Sequence, residues 1–81
     1  MASTQAGGRS ALRRMLEARS VAVIGASARE GSVGHETMRQ LVELGRFDGA
    51  VYPVNPRYEE LFGLRCYPSI AEVPGPVDLA I

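Results

Sequence analysis

The 81 residues predict an α/β fold, a Rossmann-like doubly wound parallel sheet of which the chain holds the N-terminal portion, about three strands. Three observations carry this. Val21-Ala22-Val23-Ile24-Gly25 is an apolar run without polar alternation, as a strand buried on both faces requires. A glycine- and serine-rich loop follows it and leads into helical spacing. Two more extended runs, Ala50-Val51-Tyr52-Pro53-Val54 and Pro76-Val77-Asp78-Leu79-Ala80-Ile81, come after helical or turn segments. Strands alternating with crossovers give parallel pairing of right-handed sense. The usual order of such a sheet puts the first strand in the centre and the next two on one side of it.

Taken in order, residues 1–9 are small and polar and are expected to be disordered. From Ser10 the spacing of Ala11, Leu12, Met15 and Leu16 predicts a short surface helix. A transit-peptide reading of residues 1–16, which lack acids, is weaker because the helix runs into the fold without a linker. A second helix is predicted over 33–44, with Met38, Leu41 and Val42 inward and Gly45 ending it. Pro53 places the second strand near an edge or end, because it has no N–H to donate. Residues 57–62 read as one or two helical turns ended by Gly63. Leu64 to Pro68 is extended, and Ser69 can cap a turn through Glu72.

Composition bounds the function. A chain this short buries only about 60–65% of its unfolded surface, enough for one core and no second domain. Nine arginines balance nine acids, there is no lysine, and the formal net charge is zero. General nucleic-acid binding needs a clustered basic surface, which is missing. No run approaches the ~18 apolar residues of a membrane span. One cysteine excludes an internal disulfide framework and a multi-cysteine zinc site, and a reducing cytoplasmic compartment is the default.

The chemistry lies in Gly25-Ala26-Ser27-Ala28-Arg29-Glu30-Gly31-Ser32-Val33-Gly34. First-turn amides are unpaired and carry the positive end of the helix dipole, so a phosphate fits there without a charged side chain. Gly31 and Gly34 stand where a side chain would block a ligand or the neighbouring strand. Ser32 either donates to the phosphate or caps the helix, and both readings stand. No Gly-Lys-Ser/Thr follows, which excludes a Walker A loop. A dinucleotide fingerprint wants an acid at the end of the second strand, where this chain has Asn55, Pro56 and Arg57. An arginine there favours a ligand with an extra ribose phosphate, NADP or coenzyme A.

Ser20-Val-Ala-Val-Ile-Gly-Ala-Ser27, Gly31-Ser-Val-Gly34, Val51-Tyr-Pro-Val-Asn-Pro56, Tyr67-Pro-Ser69 and Pro76-Val-Asp-Leu-Ala80 together resemble one family. It is the N-terminal CoA-binding domain of the NDP-forming acyl-CoA synthetases. These are the ADP-forming acetate–CoA ligases, related to the succinyl-CoA synthetase α subunit. The resemblance covers residues 12–81 and implies a CoA-binding Rossmann-like domain over 10–81, incomplete at its C-terminus. By motif match Gly25, Ala26, Ser27, Ser32 and Val33 would line the phosphate and pantetheine side, with Gly31 and Gly34 completing the loop. Asn55, Pro56 and Arg57 would approach the ribose and adenine. The family's phosphohistidine and ATP-grasp parts are not in these residues. The implied partners are CoA and the remaining domains or subunits of a ligase, with no catalytic residue, metal, nucleic acid or membrane here.

Other candidates have plainer readings. His35 reads as an exposed first-turn residue, Cys66 as a small buried side chain, and Glu59-Glu60 as a solvated face. Tyr52 and Phe62 read as core, while Tyr58 stands at the binding edge. Two other functions remain open at this point: an NADP-binding oxidoreductase domain, and a stand-alone CoA-binding regulatory module.

Overall fold

The computed structural model describes residues 18–81. The expected tail of residues 1–9 and the short helix expected from Ser10 fall on residues outside that range. In chain order the described elements are β1 (Ser20–Ile24), α1 (Val33–Met38), a π turn (Arg39–Glu43), β2 (Ala50–Val54), β3 (Glu60–Leu61), β4 (Leu64–Arg65), a 3-10 turn (Ile70–Glu72) and β5 (Leu79–Ala80).

The main sheet is parallel, in the order β2-β1-β5. Ser20 lies opposite Ala50 and the register runs to Ile24 opposite Val54. On the other flank Val21 faces Leu79 and Ala22 faces Ala80. Central placement explains the unbroken apolar run, since Val21, Ala22 and Val23 are all buried. The expected order is corrected here, because the strand at residues 76–81 joins β1 rather than β2. The outer flank of β2 is already taken. The Tyr67 amide donates to the Pro53 carbonyl at 2.9 Å, and the Asn55 amide donates to the Tyr67 carbonyl at 2.9 Å. Pro53 turns its carbonyl to that flank and has no amide to offer there, so only a single bridge, Val54 to Tyr67, forms.

The free flank of β1 is closed by Ser20. Its buried hydroxyl donates to the Pro76 carbonyl at 2.7 Å and accepts from the Asp78 amide at 3.0 Å. Asp78 also accepts from the Arg19 amide at 2.7 Å. These bonds deliver Leu79 and Ala80 in register.

The helix predicted over 33–44 forms, but only its first half is α. At Arg39 it widens to π geometry and ends where the Leu44 amide donates to the Arg39 carbonyl at 2.9 Å. Gly45 closes it, donating to Val42 at 3.2 Å. The inward stripe is as predicted: Met38 and Leu41 are buried against Val21, Val23 and Ala26, with Val42 half-buried beside them.

The helical turns expected over 57–62 are replaced by the β3–β4 hairpin, with Glu60 opposite Arg65 and Leu61 opposite Leu64. Phe62 and Gly63 form its two-residue turn, with φ of 53° and 75°. Gly63 is therefore the second turn residue rather than a helix stop. Leu61 and Cys66 drive the change, since the hairpin buries both in the core. The turn after Ser69 forms without a side-chain cap; the Glu72 amide bonds the Ser69 carbonyl at 3.1 Å instead.

Candidate functional site

Parallel strands bring their carboxyl ends to one edge, where an open α/β sheet offers a crevice. Gly25, Asn55 and Pro68 meet at that edge. The Gly25 amide donates to the Val54 carbonyl at 2.9 Å, which locks the start of the glycine loop to β2. Two glycines of the loop serve different physical needs. Gly31 has φ +85° with open space where a Cβ would stand, so its conformation and not crowding requires glycine. At Gly34 a Cβ would run into the Gly25 carbonyl oxygen, 2.9 Å from the Gly25 carbonyl carbon and 3.2 Å from the Ala26 Cα. This glycine lets α1 sit directly on the end of β1.

Ser32 acts as a cap. Its hydroxyl accepts from the His35 amide at 3.2 Å and donates to the Arg29 carbonyl at 2.7 Å. The amides of Val33 and Gly34 take no hydrogen-bond partner among the described residues. They are the donors left at the helix start. Val33 is 84% exposed, an apolar side chain in solvent beside those donors. Ala26 is fully buried, backbone included, and its carbonyl is taken by the Asn55 side chain.

The β2 loop is tied to the glycine loop twice. Asn55 Nδ2 donates to the Ala26 carbonyl at 2.9 Å, while Asn55 Oδ1 accepts from the Arg57 amide at 2.9 Å. The Tyr58 hydroxyl lies 3.3 Å from the Ser27 hydroxyl, which also accepts from the Arg29 amide at 2.9 Å. The Ser27 hydroxyl first, then the Ala28 amide, hold the Tyr58 titration below the ordinary tyrosine range, with Arg57 and Arg29 adding to the effect. Pro56 and Arg57 are exposed at the turn.

Between these loops and the segment after Tyr67 lies a mostly apolar cleft of about 420 Å³. Ile24, Val54 and Pro56 form one wall, and Pro68 and Ile70 the other. Of the sequence-read residues, Gly25, Asn55 and Pro56 line this cleft; Ala26 and Ser27 are joined to the second loop through Asn55 and Tyr58, and Gly31, Ser32, Val33, Gly34 and Arg57 lie outside the cleft lining. Sequence reading passed over Ile24 and Ile70. Ile24 was counted as core of β1, yet it is 51% exposed at the strand end. Position at the carboxyl end of a strand was the available signal.

His35 is half-buried rather than exposed, with its ring 5.3 Å from that of Phe62. Phe62 reaches it because the hairpin turn holds the phenylalanine at positive φ. Cys66 is buried as read, and burial pushes its thiol above the ordinary range. Glu59 and Glu60 are exposed. Among the described residues, no group of three His, Cys, Asp or Glu side chains could hold a metal ion.

The match to known proteins covers the same residues. Residues 19–81 match the family model described as a CoA binding domain. The acetate–CoA ligase (ADP-forming) of Methanocaldococcus jannaschii is 48% identical over 63 residues, which are 78% of this chain and 8% of that protein. The acetate–CoA ligase (ADP-forming) II subunit alpha of Pyrococcus furiosus is 49% identical over 63 residues, covering 78% of this chain and 13% of that one. The chain therefore spans only a small part of the curated relatives it matches. A solved structure, a hypothetical protein from Pyrococcus horikoshii OT3, superposes with a TM-score of 0.76 at 32% identity, covering 89% of this chain and 49% of that one. A parallel sheet with its glycine loop and second-strand turn on one edge, matched over nearly all the described residues, places this chain in the CoA binding domain family.

Proposed function

We propose that the chain binds coenzyme A at the carboxyl edge of its sheet, as the CoA-binding portion of an ADP-forming acyl-CoA ligase. The observation that carries this reading is the meeting of Gly25, where the glycine loop begins, with Asn55 and Pro56 at one cleft, the two loops being tied by the Asn55–Ala26 bond, in a chain of the CoA binding domain family. The diphosphate lies on the free Val33 and Gly34 amides. Arg57 approaches the ribose phosphate, and no acid stands at the end of β2 to repel it. The cleft between Pro56 and Ile70 is apolar enough for the adenine ring, and the exposed Val33 side chain offers contact to pantetheine. Asn55 supports the site chiefly by bridging loops, since its amide already bonds Ala26 and its own turn.

The chain itself orients and holds CoA, a substrate of the ligase reaction, so that its thiol meets an acyl phosphate formed on other domains or subunits. No helix among the described residues is long and apolar enough to cross a membrane. The cytoplasm is the assigned compartment on a different ground, the single cysteine of the chain, which suits a reducing environment.

Calorimetric titration of the 81-residue chain with CoA, dephospho-CoA and NADP tests the reading. CoA is expected to bind best, with NADP at least about tenfold weaker, the factor that one well-placed charged contact supplies. Preference for NADP overturns it in favour of an oxidoreductase domain. A second reading, a small stand-alone CoA-binding module, is favoured by the solved structure of which this chain already covers 49%.

A further inference from the structure

Resting on the CoA reading, we propose that Tyr58 is a positioning residue for the diphosphate: its hydroxyl holds Ser27 and thereby presets the glycine loop for the ligand. Tyr58 is well held for this. Its amide bonds the Asn55 carbonyl at 3.4 Å, and its ring packs against the core that also buries Leu61 and Cys66. From this anchored position the hydroxyl reaches Ser27, 31 residues earlier, at 3.3 Å. Ser27 in turn fixes Arg29 through the Arg29 amide, and Arg29 receives both the Ser32 amide at 3.2 Å and the Ser32 hydroxyl at 2.7 Å on its carbonyl.

The chain of bonds therefore runs from Tyr58 through Ser27 and Arg29 to Ser32. Ser32 is the residue whose cap sets where the free Val33 and Gly34 amides point. The bond from Asn55 to Ala26 is a second, parallel tether. The two hold consecutive residues in different ways, since Asn55 bonds the Ala26 backbone while Tyr58 bonds the Ser27 side chain, which itself accepts from the Arg29 amide. A loop held before the ligand arrives loses less conformational freedom on binding. Removing the hydroxyl leaves the ring and the fold in place, and transfers the ordering cost to the binding step.

The test is a double-substitution cycle of Tyr58→Phe and Ser27→Ala in the full chain, read by calorimetry with CoA, ADP and 3′-AMP. Tyr58→Phe is expected to weaken CoA and ADP by the same factor, about tenfold, and to leave 3′-AMP, which has no diphosphate, unchanged. The double variant is expected to lose less than the sum of the two single losses, because both remove the Tyr58–Ser27 bond, while each also removes one bond of its own, Tyr58 to the Ala28 amide and Ser27 to the Arg29 amide. A purely structural role would weaken all three ligands alike, and that result overturns the proposal, as do additive losses. Amide exchange without ligand supplies a second readout: faster exchange at Arg29 and Ser32 in Tyr58→Phe supports the tether, and unchanged exchange refutes it. If the unaltered chain binds no CoA, the CoA reading fails, and the exchange result alone then decides whether Tyr58 holds the loop.

Discussion

Replacing Gly34 by alanine tests the packing on which the site depends. The new Cβ meets the Gly25 carbonyl oxygen and lies 2.9 Å from its carbon and 3.2 Å from the Ala26 Cα. All three are backbone atoms, and Gly25 cannot rotate away without breaking its 2.9 Å bond to Val54. The start of α1 must retreat from β1 instead. Overpacking of this kind costs about 1–3 kcal/mol. Alanine returns at most about 1 kcal/mol of helix propensity, and less in the first turn. The balance is a loss of about 1–2 kcal/mol, which in a domain of this size lowers Tm by about 5–15 °C. The shift also moves the Val33 and Gly34 amides, so CoA affinity is expected to fall by about tenfold or more. Thermal melts followed by circular dichroism and a CoA titration read the two effects. Gly31→Ala is the comparison, since it carries a backbone penalty of about 1–2 kcal/mol with no steric conflict. A Gly34→Ala chain that melts at or above the parent temperature and binds CoA equally well would refute the packing argument.

Ser20→Ala leaves the Pro76 carbonyl and the Asp78 amide without their shared partner. A loss of about 1–3 kcal/mol is expected, with amide exchange accelerated first over residues 78–81. Arg57→Ala is expected to weaken CoA about tenfold and to spare dephospho-CoA, and equal losses for both ligands would remove Arg57 from the ribose phosphate. Glu36 is held down to about 2, chiefly by its bonds to Arg39 at 2.8 and 3.0 Å and then by Gln40 at 2.9 Å. A depressed carboxylate stabilises above its ordinary value of 4.5 and loses that contribution as pH falls through about 2. Melting temperature measured from pH 5 to pH 2 should therefore decline less in Glu36→Gln than in the parent chain.

Features that depend on neighbours in the chain were legible without coordinates. The Val21–Ile24 run announced a central strand because burial on both faces leaves no room for polar alternation. Gly45 announced the helix end because the left-handed position after a helix suits glycine. Cys66 read as a small buried side chain, and it is buried. The hairpin was misread because Phe62-Gly63 is an uncommon type I′ pair: a bulky residue at positive φ is disfavoured locally and is stabilised only by core burial of its flanks.

Sequence alone determined that a strand, a glycine loop and a helix follow one another, since each rests on local backbone preference and side-chain periodicity. Tertiary structure decided which strand stands beside which. Pro53 withholds one donor from the outer flank of β2, the Tyr67 bridge occupies the rest, and Ser20 draws residues 76–81 to the opposite side. It also decided what Asn55 and Tyr58 do, because their partners, Ala26 and Ser27, lie about thirty residues away along the chain and become neighbours only when parallel strands end at a common edge.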